Sequence, residues 1–168
     1  MYGIDFEKPR IAFVRNMARK AFDECSVIFQ EGFPSDMGKA IGTILPGFKI
    51  VMLSQMPKGS SAITIVSDKL IGVNEKHHIH RQRFSIGHEL GHIYLCHPHD
   101  VFDPENEKDK ILEDEADIFS AEFLVPLKTI KSEFKSCRDF QILAKKFMVS
   151  SQTMYIRFKE ARLLSQIL

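Results

Sequence analysis

Residues 84–98 read FSIGHELGHIYLCHP. At its centre, His88-Glu89-Leu90-Gly91-His92 belongs either to a core helix that happens to carry two histidines or to the floor of a metal site. On an α-helix, residues four apart are rotated by about 40°, so His88 and His92 project from one face within a single turn. Two imidazoles placed this way share one ion. Glu89 lies about 100° from His88, beside the ligands, which suits a carboxylate that takes a proton from a water at the metal. The pattern thus separates ligand from base.

A zinc ion held by two imidazoles needs a third protein ligand and keeps its fourth position for water. The acidic stretch EDEADIFSAE at 113–122 supplies the candidates. On a second helix Ile111, Glu115, Ile118 and Glu122 share one stripe. With the isoleucines buried, Glu115 points inward, and an inward carboxylate is costly unless it meets a cation or a hydrogen-bond partner. The ion between His88 and His92 is the cation this reading assigns to Glu115. Glu122, further along the stripe, is the rival, and whichever of the two is not a ligand is assigned to orient a histidine. Glu113, Asp114 and Asp117 are expected to face outward.

The glycines point the same way. Gly87 and Gly91 each cost roughly 1 kcal/mol relative to alanine inside a helix, so a pair of them four apart implies another backbone packed closely on that face. His77, His78, His80, His97 and His99 are read as capping, surface or orienting residues and not as ligands. His97 lies about 140° round the helix from His92 and should point elsewhere. Tyr94 is likewise expected to point away, and Asn74 to end a strand.

The chain has 168 residues, with 44% hydrophobic and 27% charged residues and a net charge of +1. That is one domain's worth of a soluble globular protein, large enough to bury a core without a structural metal. The first twenty residues intersperse charges throughout, and no run approaches membrane-spanning length, so the expected compartment is the cytoplasm. Cys25, Cys96 and Cys137 are odd in number and irregularly spaced, and read as reduced, mostly buried thiols.

Residues 9–24 show apolar steps of three and four after a proline, the mark of a packing helix. A loop-like stretch around Gly32, Pro34 and Ser35 follows. Short apolar runs at 48–53, 62–66 and 70–73 then predict a small antiparallel sheet. Helices are predicted over 78–96 and 110–124, the first stopped by His97-Pro98, Asp100 and Asp103-Pro104 and the second by Pro126. The remainder reads as two or three short helices. Charge is unevenly divided: residues 100–126 hold ten acidic and two basic side chains, net −8, whereas 127–168 hold nine basic and three acidic, net +6. The boundary at 126 separates an expected core, 1–126, from a helical C-terminal subdomain, 127–168.

The paired stretches RFSIGHELGHIYL and EDEADIFSAEFLVP resemble the ImmA/IrrE family of zinc metallopeptidases. The resemblance implies an α+β, compact zincin-like fold with two metal-bearing helices and one Zn2+ ion. It places His88, His92 and Glu115 as ligands and Glu89 as the catalytic glutamate. It further implies a protein substrate, a repressor of the helix-turn-helix class whose cleavage or inactivation relieves repression in bacterial, phage or mobile-element regulation. At this length there is no room for the sensory domain that some members carry.

Within the tail, LAKKFMVSSQTMYIRF at 143–158 has the pattern of a helix-turn-helix, with the turn at Met148-Val149-Ser150. Lys145, Lys146, Arg157 and Lys159 are its candidates for phosphate contacts. Met148 occupies a turn position often held by glycine, where a side chain is strained if φ is positive. The alternative to an enzyme is therefore a regulatory module that inactivates a repressor by contact or binds DNA through these helices.

Overall fold

The helical periodicity after Pro9 yields α1, Ile11–Cys25, which buries Val14, Ala18, Ala21 and Cys25. In the computed structural model, which describes residues 7–25, 32–98, 103 and 105–167, six further α-helices and three strands follow. The predicted stops at Asp100 and Pro104, and the histidine His99, lie outside the described residues. A short helix, α2 (Met37–Ile44), stands just beyond the expected loop. Its signal is Asp36, whose side chain caps the Lys39 N–H, followed by inward Met37, Ala40 and Ile41. Two glycines within it, Gly38 and Gly42, mask the helical pattern.

The strands β1 (Lys49–Leu53), β2 (Ala62–Ile65) and β3 (Leu70–Asn74) fall where the apolar runs predict. Their arrangement differs from the expected antiparallel sheet. The order is β1-β3-β2, with β2 antiparallel to β3 but β1 parallel to it. The segment from Leu53 to Leu70 contains β2, so the chain passes over and returns with β3 in the middle, the crossover that a parallel neighbour requires. Burial explains why β3 is central, since Ile71, Gly72 and Val73 are consecutively buried. At Gly72 a Cβ would stand 2.5 Å from Leu53 Cδ1 and 3.2 Å from Ile63 Cγ2, so the side chains of both neighbouring strands close over it. Strand β2 is left as an edge.

Two helices cross beneath this sheet. Helix α3 (Ile79–Tyr94) starts at His78, whose ring nitrogen caps the His80 N–H, and α4 (Glu107–Leu124) starts at Asn106. Their close approach is what the paired glycines imply. A Cβ on Gly87 would stand 2.5 Å from Ser120 Oγ, and one on Gly91 would stand 3.1 Å from Phe119 Cβ and 3.3 Å from Ala116 Cα. Ser120 Oγ is itself committed, donating to the Phe84 carbonyl. Gly87→Ala is therefore expected to destabilise by about 1–2 kcal/mol, overpacking outweighing the helix-propensity gain. Urea denaturation of the two proteins measures the sign.

The last three helices, α5 (Leu127–Glu133), α6 (Phe140–Phe147) and α7 (Ser151–Glu160), pack into the same apolar core through Ile130, Phe147, Met154 and Phe158. Two buried arginines join them to α3 and α4. Arg83 of α3 donates to the Met148 carbonyl, 3.2 Å, and Arg157 of α7 is bonded to Glu122 of α4 and to the Val125 carbonyl. Between α6 and α7 Met148 adopts φ 51° and ψ 51°, the left-handed turn that the sequence pattern requires. The fold is α+β, a small mixed sheet over helices, in keeping with a zincin-like domain.

Candidate metal centre

Helix α3 brings His88 and His92 together as their spacing predicts, with the two Nε2 atoms 2.9 Å apart. The third group at this pair is the carboxylate of Glu113. Its Oε2 lies 3.2 Å from His88 Nε2 and its Oε1 3.2 Å from His92 Nε2. One turn further along α4, Asp117 Oδ1 lies 2.8 Å from His88 Nδ1. Two acidic residues four apart thus face two histidines four apart across the glycine-mediated contact of the helices. That pairing of spacings was present in the sequence and is the signal by which Glu113 and Asp117 could have been found.

The structure does not bring Glu115 to the histidine pair. It is inward, with no exposure, although Ile111 and Ile118 of the expected stripe are only half-buried and the buried face runs through Ala116, Phe119 and Phe123 instead. The cation it meets is Arg10 of the segment preceding α1. Glu115 Oε1 accepts from the Arg10 backbone N–H and Nε, both at 2.8 Å, and Oε2 accepts from an Arg10 terminal nitrogen at 2.6 Å. Burial alone would raise the Glu115 pKa, but the bonds from Arg10 and His97 outweigh it and hold it below the ordinary carboxylate range. Glu122 has an arginine as well, Arg157, so neither inward acid of the stripe stands at the histidines. A separation of 105 residues between Arg10 and Glu115 leaves no trace in local sequence pattern.

His97 also departs from expectation. The helix ends in a Schellman turn: Cys96 takes φ 55°, its N–H reaches the Ile93 carbonyl at 3.1 Å, and the His97 N–H reaches the His92 carbonyl at 2.9 Å. This turn swings His97 back, so that its Nδ1 lies 3.1 Å from His92 Nδ1 and its Nε2 lies 3.2 Å from Glu115 Oε2. Burial, then the neighbouring His92, depress its pKa to about 4 against the opposing pull of Glu115. Cys96 is exposed, contrary to the expectation for the cysteines, whereas Cys25 is buried. Tyr94 does point away, its hydroxyl donating to Glu24 at 2.7 Å, and Asn74 ends β3.

Glu89, on the same helix, accepts a hydrogen bond from Thr64 Oγ1 of β2 through Oε2. This links the edge strand to the glutamate beside the histidine pair.

The donor set suits a divalent ion. His88 Nδ1–H is engaged by Asp117, which leaves the Nε2 lone pair directed at His92 Nε2 and Glu113. Lone pairs held this close repel unless a cation or a proton lies between them. Ligand atoms at ~2.0–2.1 Å from a tetrahedral zinc stand about 3.3 Å apart, close to the 2.9 and 3.2 Å separations here. His88, His92 and Glu113 are the metal-capable group among the described residues. Side-chain exposures of 18%, 15% and 39% leave room for a fourth ligand.

Without metal, a proton takes the cation's place. Burial alone would lower the His88 pKa, but Asp117 and then Glu113 outweigh it and raise it from 6.5 to about 9. A raised folded-state pKa stabilises fully below the unfolded value and ceases to do so as pH rises through the folded one. Metal-free protein is therefore expected to lose stability between about 6.5 and about 9. Denaturation midpoints across that window should fall in the wild type and flatten in His88→Asn.

A glycine-packed pair of helices with a small mixed sheet, carrying two histidines and a carboxylate with a glutamate beside them, makes up an α+β domain with a metal-capable cluster. Residues 46–159 match the family Peptidase_M78, described as IrrE N-terminal-like domain, and the chain belongs to that family. No curated relative matches the chain. Among solved structures it is similar to a Mycobacterium tuberculosis transcriptional regulator, with a TM-score of 0.60 at 14% identity. The likeness covers 86% of this chain and 49% of that one, so the chain spans about half the length of that protein. Among the described residues no helix is long and apolar enough to cross a membrane.

Proposed function

We propose that this protein is a zinc-dependent endopeptidase that cleaves a helix-turn-helix repressor in the cytoplasm. The observation that carries the reading is the convergence of His88 Nε2, His92 Nε2 and a Glu113 carboxylate on one point, with Glu89 alongside. Zinc held by these three residues would lower the pKa of a water towards roughly 7 and polarise the scissile carbonyl. Glu89 takes the water's proton and delivers it to the leaving amine. Its hydrogen bond from Thr64 fixes one carboxylate oxygen and leaves the other for that transfer.

Strand β2 fits the substrate side of this reading. As one of the sheet's two edge strands among the described residues, it offers a free side to which an extended peptide adds by strand pairing. Thr64 ties that edge to Glu89, so a peptide laid along β2 runs past the site. The repressor as substrate is what the family resemblance implies. Mixing the protein with candidate repressors, with and without chelator, and following fragments by mass tests it. Metal-dependent fragments support the reading, and intact repressor inactivated in the presence of chelator would contradict it.

A second reading is favoured by the left-handed turn at Met148 between α6 and α7, which fits the helix-turn-helix pattern of this stretch. The tail would then bind DNA or a repressor without catalysis. The phosphate-contact candidates shrink, because Arg157 is 1% exposed and committed to Glu122, and Lys146 pairs with Glu133 at 2.6 Å. Lys145 and Lys159 remain exposed. Steep loss of duplex affinity with rising salt would mark DNA binding.

A further inference from the structure

We infer that Ile63 and Ile65 are specificity-determining residues, which select on the free edge of β2 an extended substrate segment of the pattern apolar-x-apolar, its middle residue turned towards Glu89. The inference rests on the proposed peptidase reading. It adds to that reading the class of sequence that the edge strand takes.

Strand register decides which residues share a face. Side chains alternate along a strand. Ile63 stands in a cross-strand row with Gly72 and Val51, and Ile65 in a second row with Leu70 and Lys49, both on one face of the sheet. Thr64 belongs to the row between them on the opposite face, with Ile71 and Ile50, and its hydroxyl donates to Glu89. The two outer-face rows end at the free edge on isoleucines that are 38% and 39% exposed. In the first row the apolar strip already runs across the sheet, because Leu53 and Ile63 both close over Gly72. A strand added to the edge would extend it.

The main chain of the edge has the matching phase. The Asn74 N–H donates to the Ser61 carbonyl at 3.0 Å. Hydrogen-bonded pairs alternate along an antiparallel ladder, so Ile63 and Ile65 bond inward to Gly72 and Leu70, and the N–H and C=O of Ala62 and Thr64 point to the free side. A peptide bonded to Thr64 there places the residue opposite it on the Glu89 face. The residues before and after that one fall on the outer face, beside Ile63 and Ile65. Apolar side chains at those two positions pair with the isoleucines, whereas charged ones do not. Of the usual guards of a free edge β2 keeps shortness alone, since Ala62-Ile63-Thr64-Ile65 holds neither charge nor proline.

Nitrogen-15 NMR titration of the full chain with two end-capped synthetic peptides, Thr-Val-Thr-Val-Thr and Thr-Asp-Thr-Asp-Thr, tests this. The expected result is that amide shifts gather on β2 and that the valine peptide binds about 2- to 30-fold more tightly, the range for two cross-strand pairs. In a protein carrying both Ile63→Lys and Ile65→Lys the preference should reverse towards the aspartate peptide. Equal affinities in the wild type, shifts that spare β2, or no binding of either peptide would overturn the inference. Shifts of β2 that follow protein concentration without peptide would put a second copy on the edge and overturn it as well. If the lysine variant does not fold, the wild-type comparison alone decides. Failure of the peptidase reading shows separately: a repressor left uncut in the presence of zinc, with the valine preference intact, removes the reaction and leaves the edge a selective peptide-binding site.

Discussion

Under the proposed function, Glu89→Gln is expected to retain a bound metal and its fold while cleaving the repressor about 10^2- to 10^4-fold more slowly, the range for loss of a general acid–base group. The amide keeps the shape of the carboxylate and can still meet Thr64 Oγ1, so nothing structural is removed. What disappears is the basic oxygen beside the histidine pair. Single-turnover cleavage of the repressor, alongside zinc content, measures both halves of the expectation. A variant that cleaves at the wild-type rate would leave Glu89 without the assigned role.

The second large effect separates two acids only two positions apart. Removing a carboxylate that accepts hydrogen bonds from a charged partner costs about 1.5–3 kcal/mol. Glu115→Ala does this to Arg10 and also strips His97 of its acceptor. Thermal denaturation should show metal-free Glu115→Ala melting far below the wild type, if it folds at all. Glu113→Ala should behave in the opposite way. Its side chain is 39% exposed and its partners are the two imidazoles, so its loss should spare the metal-free fold while removing the ion. A Glu115→Ala protein that melts like the wild type but has lost zinc would return Glu115 to the ligand set.

The contrast shows what local pattern can and cannot convey. The spacing of His88 and His92, the glutamate beside them and the tight contact announced by Gly87 and Gly91 were all legible, because each depends on helix geometry over a few residues. The inward direction of Glu115 was legible for the same reason, and so was its need for a cation. The cation's identity was not. Arg10 arrives through tertiary packing, which periodicity does not encode, and the nearest known cation candidate took its place in the reading. Glu113 was passed over because it lay off the apolar stripe, although a carboxylate that meets both imidazoles from their accessible side belongs at the stripe's margin.

Similar reasoning accounts for the sheet and for His97. Three strands and the tight hairpin between β2 and β3 follow from composition, whereas the partner of β1 depends on which strand is buried on both sides. The consecutive burial of Ile71, Gly72 and Val73 decides it, and the four-letter run LIGV carries only a hint of that. His97 was placed by extending helical rotation past the end of the helix. The left-handed residue at Cys96 breaks that rotation, and with a cysteine where glycine is usual the turn has no obvious sequence mark.

Zinc stoichiometry by mass spectrometry on wild type, His92→Ala and Glu113→Ala, each purified folded, tests the central claim most directly. One zinc per chain in the wild type and none in either variant is the result that three converging ligands predict. Glu113→Ala holding one zinc at wild-type affinity would contradict it.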